Sequence, residues 1–276
     1  MSVTGATTKA GATKTYPSLL LDVEDRVATI TINRPEKRNA WSPQLNADLL
    51  EVLPELAADR EVRATILTGA GDKAFSAGAD LGDPRTHRVD KAGSHLARAP
   101  RQGAIFDALV DHPKPLIAAV NGFAIGIGCL VTLCCDLIVA SDTASFGLPQ
   151  VPLGILPAYG GSVRLARHVG RAKAMEMVLL GERISGEEAE RYGMVNRCVP
   201  LAELLPTARR YAERLAALPP LAVSMAKESL NRGLDLPLRE AAQADVYRFT
   251  LLGQTEDSHE AHHAWREKRA PTFEGR

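Results

Sequence analysis

Two glycine-containing loops are the parts of this sequence best suited to chemistry. The first, NGFAIGIGCLVTL at 121–133, has the pattern of a strand, a sharp turn and a helix. The first turn of a helix offers unpaired backbone N–H groups and a partial positive charge, and glycines let a ligand approach them. Such a turn suits a phosphate or a developing oxyanion. SAGAD at 76–80 is a plausible source of a second donor, although each loop can equally be a tight turn kept small for packing.

A third glycine segment, GAGDKA at 69–74, follows a predicted strand and fits the G-x-G-x-x-A pattern of dinucleotide-binding folds. That motif needs a long helix beginning at its glycines. Here Gly78, Gly82 and Pro84 follow closely and favour a loop. The hypothesis of a NAD-dependent enzyme therefore depends on this segment alone.

The surrounding sequence predicts the elements that must position these loops. SLLLDVEDRVATITINRP predicts a hairpin with its turn at Glu24–Asp25, and Ser42 with Pro43 begins a helix that extends to Asp59. Further strands are expected at 62–69, 114–120, 136–141 and 195–200, and a helix at 101–111. A capping-box signature at Ser185–Glu188 predicts another helix start. Four more helices are expected at 201–217, 220–232, 236–252 and 254–269, so the pattern predicts a βαβ-type core with a helical C-terminal region.

Composition narrows the class of protein. The 276 residues contain 33 Lys plus Arg and 33 Asp plus Glu, and this zero net charge argues against general nucleic-acid binding. The cysteines, Cys129, Cys134, Cys135 and Cys198, form no C-x-x-C pair, which predicts buried thiols in a reducing cytoplasm and no metal site. No run approaches the ~20 apolar residues of a membrane span. Residues 1–16 are expected to form a flexible tail.

Taken together, several segments resemble the enoyl-CoA hydratase/isomerase (crotonase) superfamily. They are NRPEKRNA at Asn33–Ala40, AFSAGADL at Ala74–Leu81, His112–Asp136 and Phe146–Arg167, followed by GERISGEEAERYGMVNRCVP, MAKESLN and AWREKRAPTF. The resemblance implies an α/β fold: a crotonase-like spiral of repeated ββα units over 17–200, with a C-terminal helical trimerisation region over 201–276. It also implies a homotrimer or homohexamer.

The family stabilises the enolate of a CoA thioester with two backbone N–H groups. By motif position, the resemblance implies Ala79 and Ile127 as these donors. The family usually has glycine at the second place, and isoleucine keeps the N–H but adds bulk. The residues implied for CoA binding are Lys37, Arg38, Ala40, Ala77, Asp80, Leu81, Gly126, Gly128, Trp265 and Lys268. The C-terminal lysine is often supplied by a neighbouring subunit. No separate cofactor is expected, because CoA enters with the substrate; without the resemblance, the basic residues would be read as solvated surface charge.

Both glutamates that act as acid and base in the family's hydratases are replaced, by Leu130 and Gln150. Leucine cannot transfer a proton, and glutamine can hold a water molecule but is not a base. Positioned acid–base groups supply about 10²–10⁴-fold each, so ordinary hydration is expected to be weaker by roughly four or more orders of magnitude. Isomerases of the family tolerate leucine at the first place but keep the second glutamate. The aspartate that dienoyl isomerases and dehalogenases use corresponds to Ala158.

Other residues could supply a proton. Tyr159, beside Ala158, could donate one or could simply fill a pocket. Asp83, His87 and His95 lie in the variable segment that covers the acyl pocket in relatives, where a histidine is often exposed and idle.

Two main hypotheses follow. The first is a lyase or isomerase of acyl-CoA metabolism with a displaced base, and the second is an acyl-CoA carrier or regulator without turnover. Leu130, Ile127 and Leu148 predict a dry, apolar pocket for a hydrophobic or cyclic acyl group. The expected location is the cytoplasm, and no nucleic acid or membrane is expected as a partner.

Overall fold

The structure is a computed structural model that describes residues 13–83 and 103–276. A seven-stranded sheet contains, in spatial order, β1 (Lys14–Thr15), β2 (Leu19–Glu24), β3 (Val27–Ile32), β4 (Ala64–Gly69), β6 (Leu116–Val120), β8 (Leu137–Ser141) and β11 (Arg197–Val199). A four-stranded sheet contains, in spatial order, β10 (Arg183–Ser185), β9 (Ser145–Gly147), β7 (Phe123–Ile125) and β5 (Ala74–Ser76).

The helices follow the strands closely along the chain. They are α1 (Pro43–Ala58), α2 (helical over 103–110), α3 (Ile127–Thr132), α4 (Gly161–Val169), α5 (Arg171–Leu179), α6 (Gly186–Arg191), α7 (Leu201–Ala216), α8 (Pro220–Gly233), α9 (Leu238–Leu252) and α10 (Glu256–Glu267). The Ser42 hydroxyl accepts a hydrogen bond from the Leu45 N–H at 3.1 Å, which confirms the predicted start of α1. Ser185 and Glu188 form the predicted capping box of α6.

The N-terminal hairpin is confirmed. β2 and β3 pair antiparallel, and the turn between them consists of Asp25 and Arg26, both with positive φ. The expected flexible tail, however, ends earlier than residue 16. Lys14 and Thr15 pair with β2, and the Tyr16 hydroxyl donates to the Glu55 carboxylate at 3.2 Å, so this part of the chain is packed on the sheet. Residues 1–12 lie outside the described residues.

The central strands explain the long apolar runs of the sequence. β3, β4, β6 and β8 pair in parallel, and every residue of β4 and β6 is buried. Strands buried on both faces need covering layers on both sides. On one side α7 supplies Leu204, Ala208 and Ala212. α7 therefore packs in the core of the sheet although it follows residue 200. The boundary between a core at 17–200 and a C-terminal helical region at 201–276 stays a prediction from sequence.

The smaller sheet was not expected from the sequence. β5 pairs in parallel with β7, and β7 in parallel with β9. β5 begins at Ala74, the last residue of GAGDKA, so a strand follows these glycines where a dinucleotide site needs a helix. The GAGDKA segment is therefore not the glycine turn of a dinucleotide-binding fold, and the NAD hypothesis loses the one sequence feature on which it depended.

The C-terminal helices differ from the rest of the molecule. Neither α8 nor α9 buries a residue. Their exposed apolar side chains include Leu230, Leu234, Leu238, Val246 and Phe249. No helix among the described residues is long and apolar enough to cross a membrane.

Candidate functional site

The smaller sheet assembles the candidate site at one edge. β5, β7 and β9 run parallel, so their carboxyl ends meet and deliver the segments 77–79, 126–127 and 148–150 to the same place. The first two of these segments are in contact. The Cα atom of Gly78 lies 3.9 Å from the position that a Cβ atom would take on Gly126.

The N–H groups of Ala79 and Ile127 are both left without an acceptor in the part of the chain that the structure describes. Ala79 forms a parallel bridge with Trp41, but its own N–H takes no part in it. The Trp41 N–H donates to the Gly78 carbonyl at 2.7 Å, and the Asp80 N–H donates to the Trp41 carbonyl at 2.8 Å. Ile127 is the first residue of α3, which has no side-chain cap. Neither N–H has an acceptor among the described residues. Both remain available to a ligand oxygen.

Two glycines explain why α3 can begin at this point. Gly126 has φ 56° and ψ −116°, a conformation that side chains rarely adopt. Gly128 packs against β5, where a Cβ atom would collide with the carbonyl oxygen of Ser76. The helix N-terminus is therefore held directly beside the end of β5.

Leu130 and Gln150 both lie in this region, but their side chains differ in environment. Leu130 is buried, and its methyl carbons lie 3.7 and 3.9 Å from the Cβ position of Gly161. The Nε2 atom of Gln150 lies 3.6 Å from the Cβ position of Gly126. Its Oε1 atom is shielded from solvent and has no hydrogen-bond donor within the described part of the chain. Gln150 thus offers an acceptor beside the two free N–H groups.

Tyr159 lies two residues before Gly161, whose Cβ position Leu130 contacts. Its ring stacks on Phe106 of α2, with centroids 5.1 Å apart, and its φ is 54°. Partial burial raises the pKa of the phenol, so it stays protonated at neutral pH and can donate but not accept a proton. Ala158 beside it is exposed. His87 and His95 lie outside the described residues.

The residues expected to hold CoA cluster on the other side of the Ala79 turn. The Ala77 N–H donates to the Arg38 carbonyl at 3.0 Å. Lys37 and Arg38 are exposed, whereas Ala40 is buried. Leu81 is 67% exposed. Lys37, which is 3.4 Å from the Asp80 carboxylate, and Arg38 thus lie on a turn that is hydrogen-bonded to the segment containing Ala79.

Asp80 has a partner that sequence reasoning missed. The Arg34 guanidinium donates to its carboxylate at 2.7 Å and to the Ala40 carbonyl at 2.6 Å. This hydrogen bond to Arg34 holds the pKa of Asp80 below its usual range. Asn39, also missed, is fully buried and donates to the carbonyls of Ala70 and Ala74. No local pattern indicates these contacts, because both join segments distant in sequence.

Trp265 and Lys268 are not brought to this cluster within the chain. Trp265 is 81% exposed, and Lys268 ends α10 with φ 54°. In the described part of the chain, no ion pair or side-chain hydrogen bond joins Lys268 to the turn at 37–40. Among the same residues, no group of His, Cys, Asp and Glu could hold a metal ion.

Known proteins resemble the chain over nearly its full length. A family model described as enoyl-CoA hydratase/isomerase matches residues 22–276. (E)-benzylidenesuccinyl-CoA hydratase of Thauera aromatica is 39% identical over 255 residues, covering 92% of this chain and 98% of that protein. 2,3-dehydroadipyl-CoA hydratase of Escherichia coli K12 is 39% identical over 258 residues, covering 94% and 99%.

Solved structures give the same result. The enoyl-CoA hydratase from Bacillus anthracis is 34% identical, with a TM-score of 0.88, and the match covers 94% of this chain and 100% of that one. The match confirms the α/β crotonase-like fold expected from the motifs.

Proposed function

This chain belongs to the enoyl-CoA hydratase/isomerase family, and we propose that it binds a CoA thioester and stabilises the enolate of its acyl group. The observation that carries the proposal is the pair of N–H groups at Ala79 and Ile127, both without an acceptor in the described residues, on turns that touch through Gly78 and Gly126. Donors held in advance at a developing oxyanion are typically worth about 10²–10³-fold in rate each.

The CoA portion is proposed to bind along the turn that contains Lys37, Arg38 and Ala40, beside Ala77 and the backbone near Asp80 and Leu81. Exposed basic side chains suit phosphate groups, and the Arg34–Asp80 ion pair supports the turn from behind. The thioester would then lie at Gly126–Gly128.

Trp265 and Lys268 are proposed to reach this site from a second copy of the chain in a homotrimer or homohexamer. The exposed apolar side chains of α8 and α9 support self-association, because large apolar surfaces are rarely left in water. Light scattering on the purified protein tests the mass directly; a monomer would refute this part.

The reaction is proposed to be a non-standard lyase or isomerase step. Leu130 carries no proton, and Gln150 offers an amide that can orient water or a substrate hydroxyl. Tyr159, whose phenol remains protonated, is the proposed proton donor. The alternative is a carrier or regulator that binds acyl-CoA without turnover. The similar proteins are named for different acyl groups, so the acyl group stays open.

An assay on crotonyl-CoA and longer enoyl-CoAs tests the proposal. The wild type is expected to bind these thioesters and to hydrate them negligibly, while Leu130→Glu/Gln150→Glu is expected to gain hydration. Brisk hydration by the wild type would refute the interpretation of Leu130 and Gln150. Saturable binding without any turnover would favour the carrier. Loss of a measured turnover in Tyr159→Phe or His95→Ala would favour an enzyme with a displaced base. Failure to bind any CoA thioester would overturn the whole proposal.

A further inference from the structure

A cavity of about 720 Å³ lies between the end of α3, the helix α4 and the helix α8. Its apolar wall combines the buried Leu133 and Cys134 with Val163, Leu230 and Leu234, which are each more than half exposed, so the cavity is open to solvent on that side. The volume is in the range of small-molecule sites, which are commonly a few hundred to about 1,000 Å³. No step of the proposed reaction uses this space.

The cavity continues from the candidate site. Leu133 and Cys134 follow Leu130 by one helical turn, so all three share a face at α3. Leu130 contacts the Gly161 position at 3.7 Å, while the neighbouring Gly160 lines the cavity. Leu130 and the cavity therefore both border the Gly160–Gly161 turn, which places the cavity next to the candidate site.

Of the three cationic side chains that line the cavity, two form ion pairs and the third, Arg164, does not. Lys227 pairs with Asp136 at 2.8 Å, and Arg167 pairs with Asp235 at 2.7 Å. The Arg164 side chain has no ion pair or hydrogen bond among the described residues, and its Nε atom is shielded from solvent. That atom lies 3.3 Å from the Cβ position of Gly160, on the side of the turn that faces the cavity.

The remaining titratable groups do not neutralise Arg164. Burial lowers the pKa of His168, and Arg164 lowers it further, so the imidazole is neutral at pH 7. Burial raises the pKa of the Cys134 thiol to about 11. Asp107 of α2 is exposed and forms no ion pair with Arg164. One positive charge therefore faces an otherwise apolar or internally paired cavity.

We propose that the cavity binds the distal end of an acyl chain that terminates in a carboxylate, and that the Arg164 guanidinium is the partner of that carboxylate. This inference rests on the proposed CoA-thioester function and specifies its substrate class, the dicarboxylic acyl-CoAs. A guanidinium matches a carboxylate in charge and in its planar fork of donors. The methylene groups of the chain would contact the leucines and Val163, and the carboxylate would pair with a partly buried guanidinium whose side chain has no partner among the described residues.

Matched pairs of saturated thioesters test the inference, because they bind but have no double bond to react. Calorimetry compares succinyl-, adipyl- and suberyl-CoA with butyryl-, hexanoyl- and octanoyl-CoA on the full-length protein. At one chain length, the wild type is expected to bind the dicarboxylic thioester at least about tenfold more tightly than its monocarboxylic match, since hydrogen bonds to charged groups are the stronger ones.

Variants on α4 assign the effect. Arg164→Met is expected to abolish the preference and to leave binding of the monocarboxylic thioesters unchanged. Arg167→Met is the matched control: it removes an equal charge from the same helix, but one already paired with Asp235, and the preference is expected to persist. Light scattering of each variant checks that the assembly is intact.

The outcomes separate the two proposals. If monocarboxylic thioesters bind to the wild type and no dicarboxylic match binds more tightly, the carboxylate subsite is refuted while the thioester site stands. A preference that survives in Arg164→Met also refutes the subsite. If no CoA thioester binds, both proposals fail. Because the wild-type comparison alone can refute the inference, the test holds even if Arg164→Met does not fold.

Discussion

Gly78 and Gly126 hold two separate turns in contact, with the Cα atom of the first 3.9 Å from the Cβ position of the second. Gly126→Ala is expected to destabilise the protein by about 1–3 kcal/mol, because φ 56° with ψ −116° is strained for any side chain. It is also expected to weaken thioester binding, since relief of that strain moves the Ile127 N–H. Urea unfolding and calorimetry with an acyl-CoA measure the two effects.

Gly154→Ala is the matched control. Gly154 has φ 76°, and nothing lies within 4 Å of its Cβ position. The substitution is expected to cost about 1–2 kcal/mol through the left-handed conformation, with thioester affinity unchanged. Equal losses of affinity in both variants would contradict a specific role for Gly126.

The Gln150 amide is expected to serve function without stabilising the folded protein. Its Oε1 atom is buried without a donor in the described residues, and such an acceptor costs about 1–3 kcal/mol when unsatisfied. Gln150→Met is therefore expected to unfold at the same or higher urea concentration, while any turnover of a CoA thioester falls. Gln243→Met, at an exposed position of α9, is expected to change neither. A clear loss of stability in Gln150→Met would mean that the amide is satisfied inside the protein.

The pair of Arg34 and Asp80 is expected to stabilise the CoA-binding turn. Arg34→Met removes the closer of two cationic partners, at 2.7 Å, from a carboxylate that is only 6% exposed, while Lys37 stays at 3.4 Å, and is expected to cost about 1.5–3 kcal/mol. Because Arg34 lowers the pKa of Asp80, its contribution is present above the ordinary carboxylate pKa and is lost as the pH falls through the lowered value. Lys14→Met breaks an exposed pair with Glu55 and is expected to cost less than about 1 kcal/mol. Equal losses of unfolding free energy in Arg34→Met and Lys14→Met, measured with urea, would refute the distinction between the buried and the exposed ion pair.

His112 is expected to lower the free energy of unfolding as the pH falls below about 6.5. Burial lowers its pKa from 6.5 to about 3, with smaller effects from Lys227 and Lys114. The unfolded chain binds the proton more readily, so stability is lost as the pH falls from about 6.5 toward 3, by up to about 1.4 kcal/mol per pH unit. Urea unfolding between pH 7 and 4.5 is expected to show a shallower slope for His112→Leu than for the wild type. His259→Gln, on α10, should keep the wild-type slope, and an equal slope in His112→Leu would contradict the prediction.

Much of the larger sheet and the helices could be predicted from the sequence. The hairpin, the start of α1 at Ser42 and the capping box at Ser185 each depend on residues a few positions apart, whose chemistry acts locally. Long apolar runs also indicate strands such as β6 without knowledge of their neighbours. The motifs alone were sufficient to identify the family.

The smaller sheet and the details of the site were decided by the tertiary structure. β5, β7 and β9 are three residues each, too short to leave a periodic signal, and they form only because parallel neighbours supply their hydrogen bonds. Their pairing brings Ala79, Ile127 and Gln150 to one edge.

The sequence by itself determined which residue types occupy the family's positions: Leu130 and Gln150 replace groups that carry protons. Only the tertiary structure decided that the Gln150 acceptor and the Arg164 guanidinium lack partners in the described residues. The physical reason is that hydrogen bonds and ion pairs depend on distances between segments far apart in the chain, and no local pattern encodes those distances.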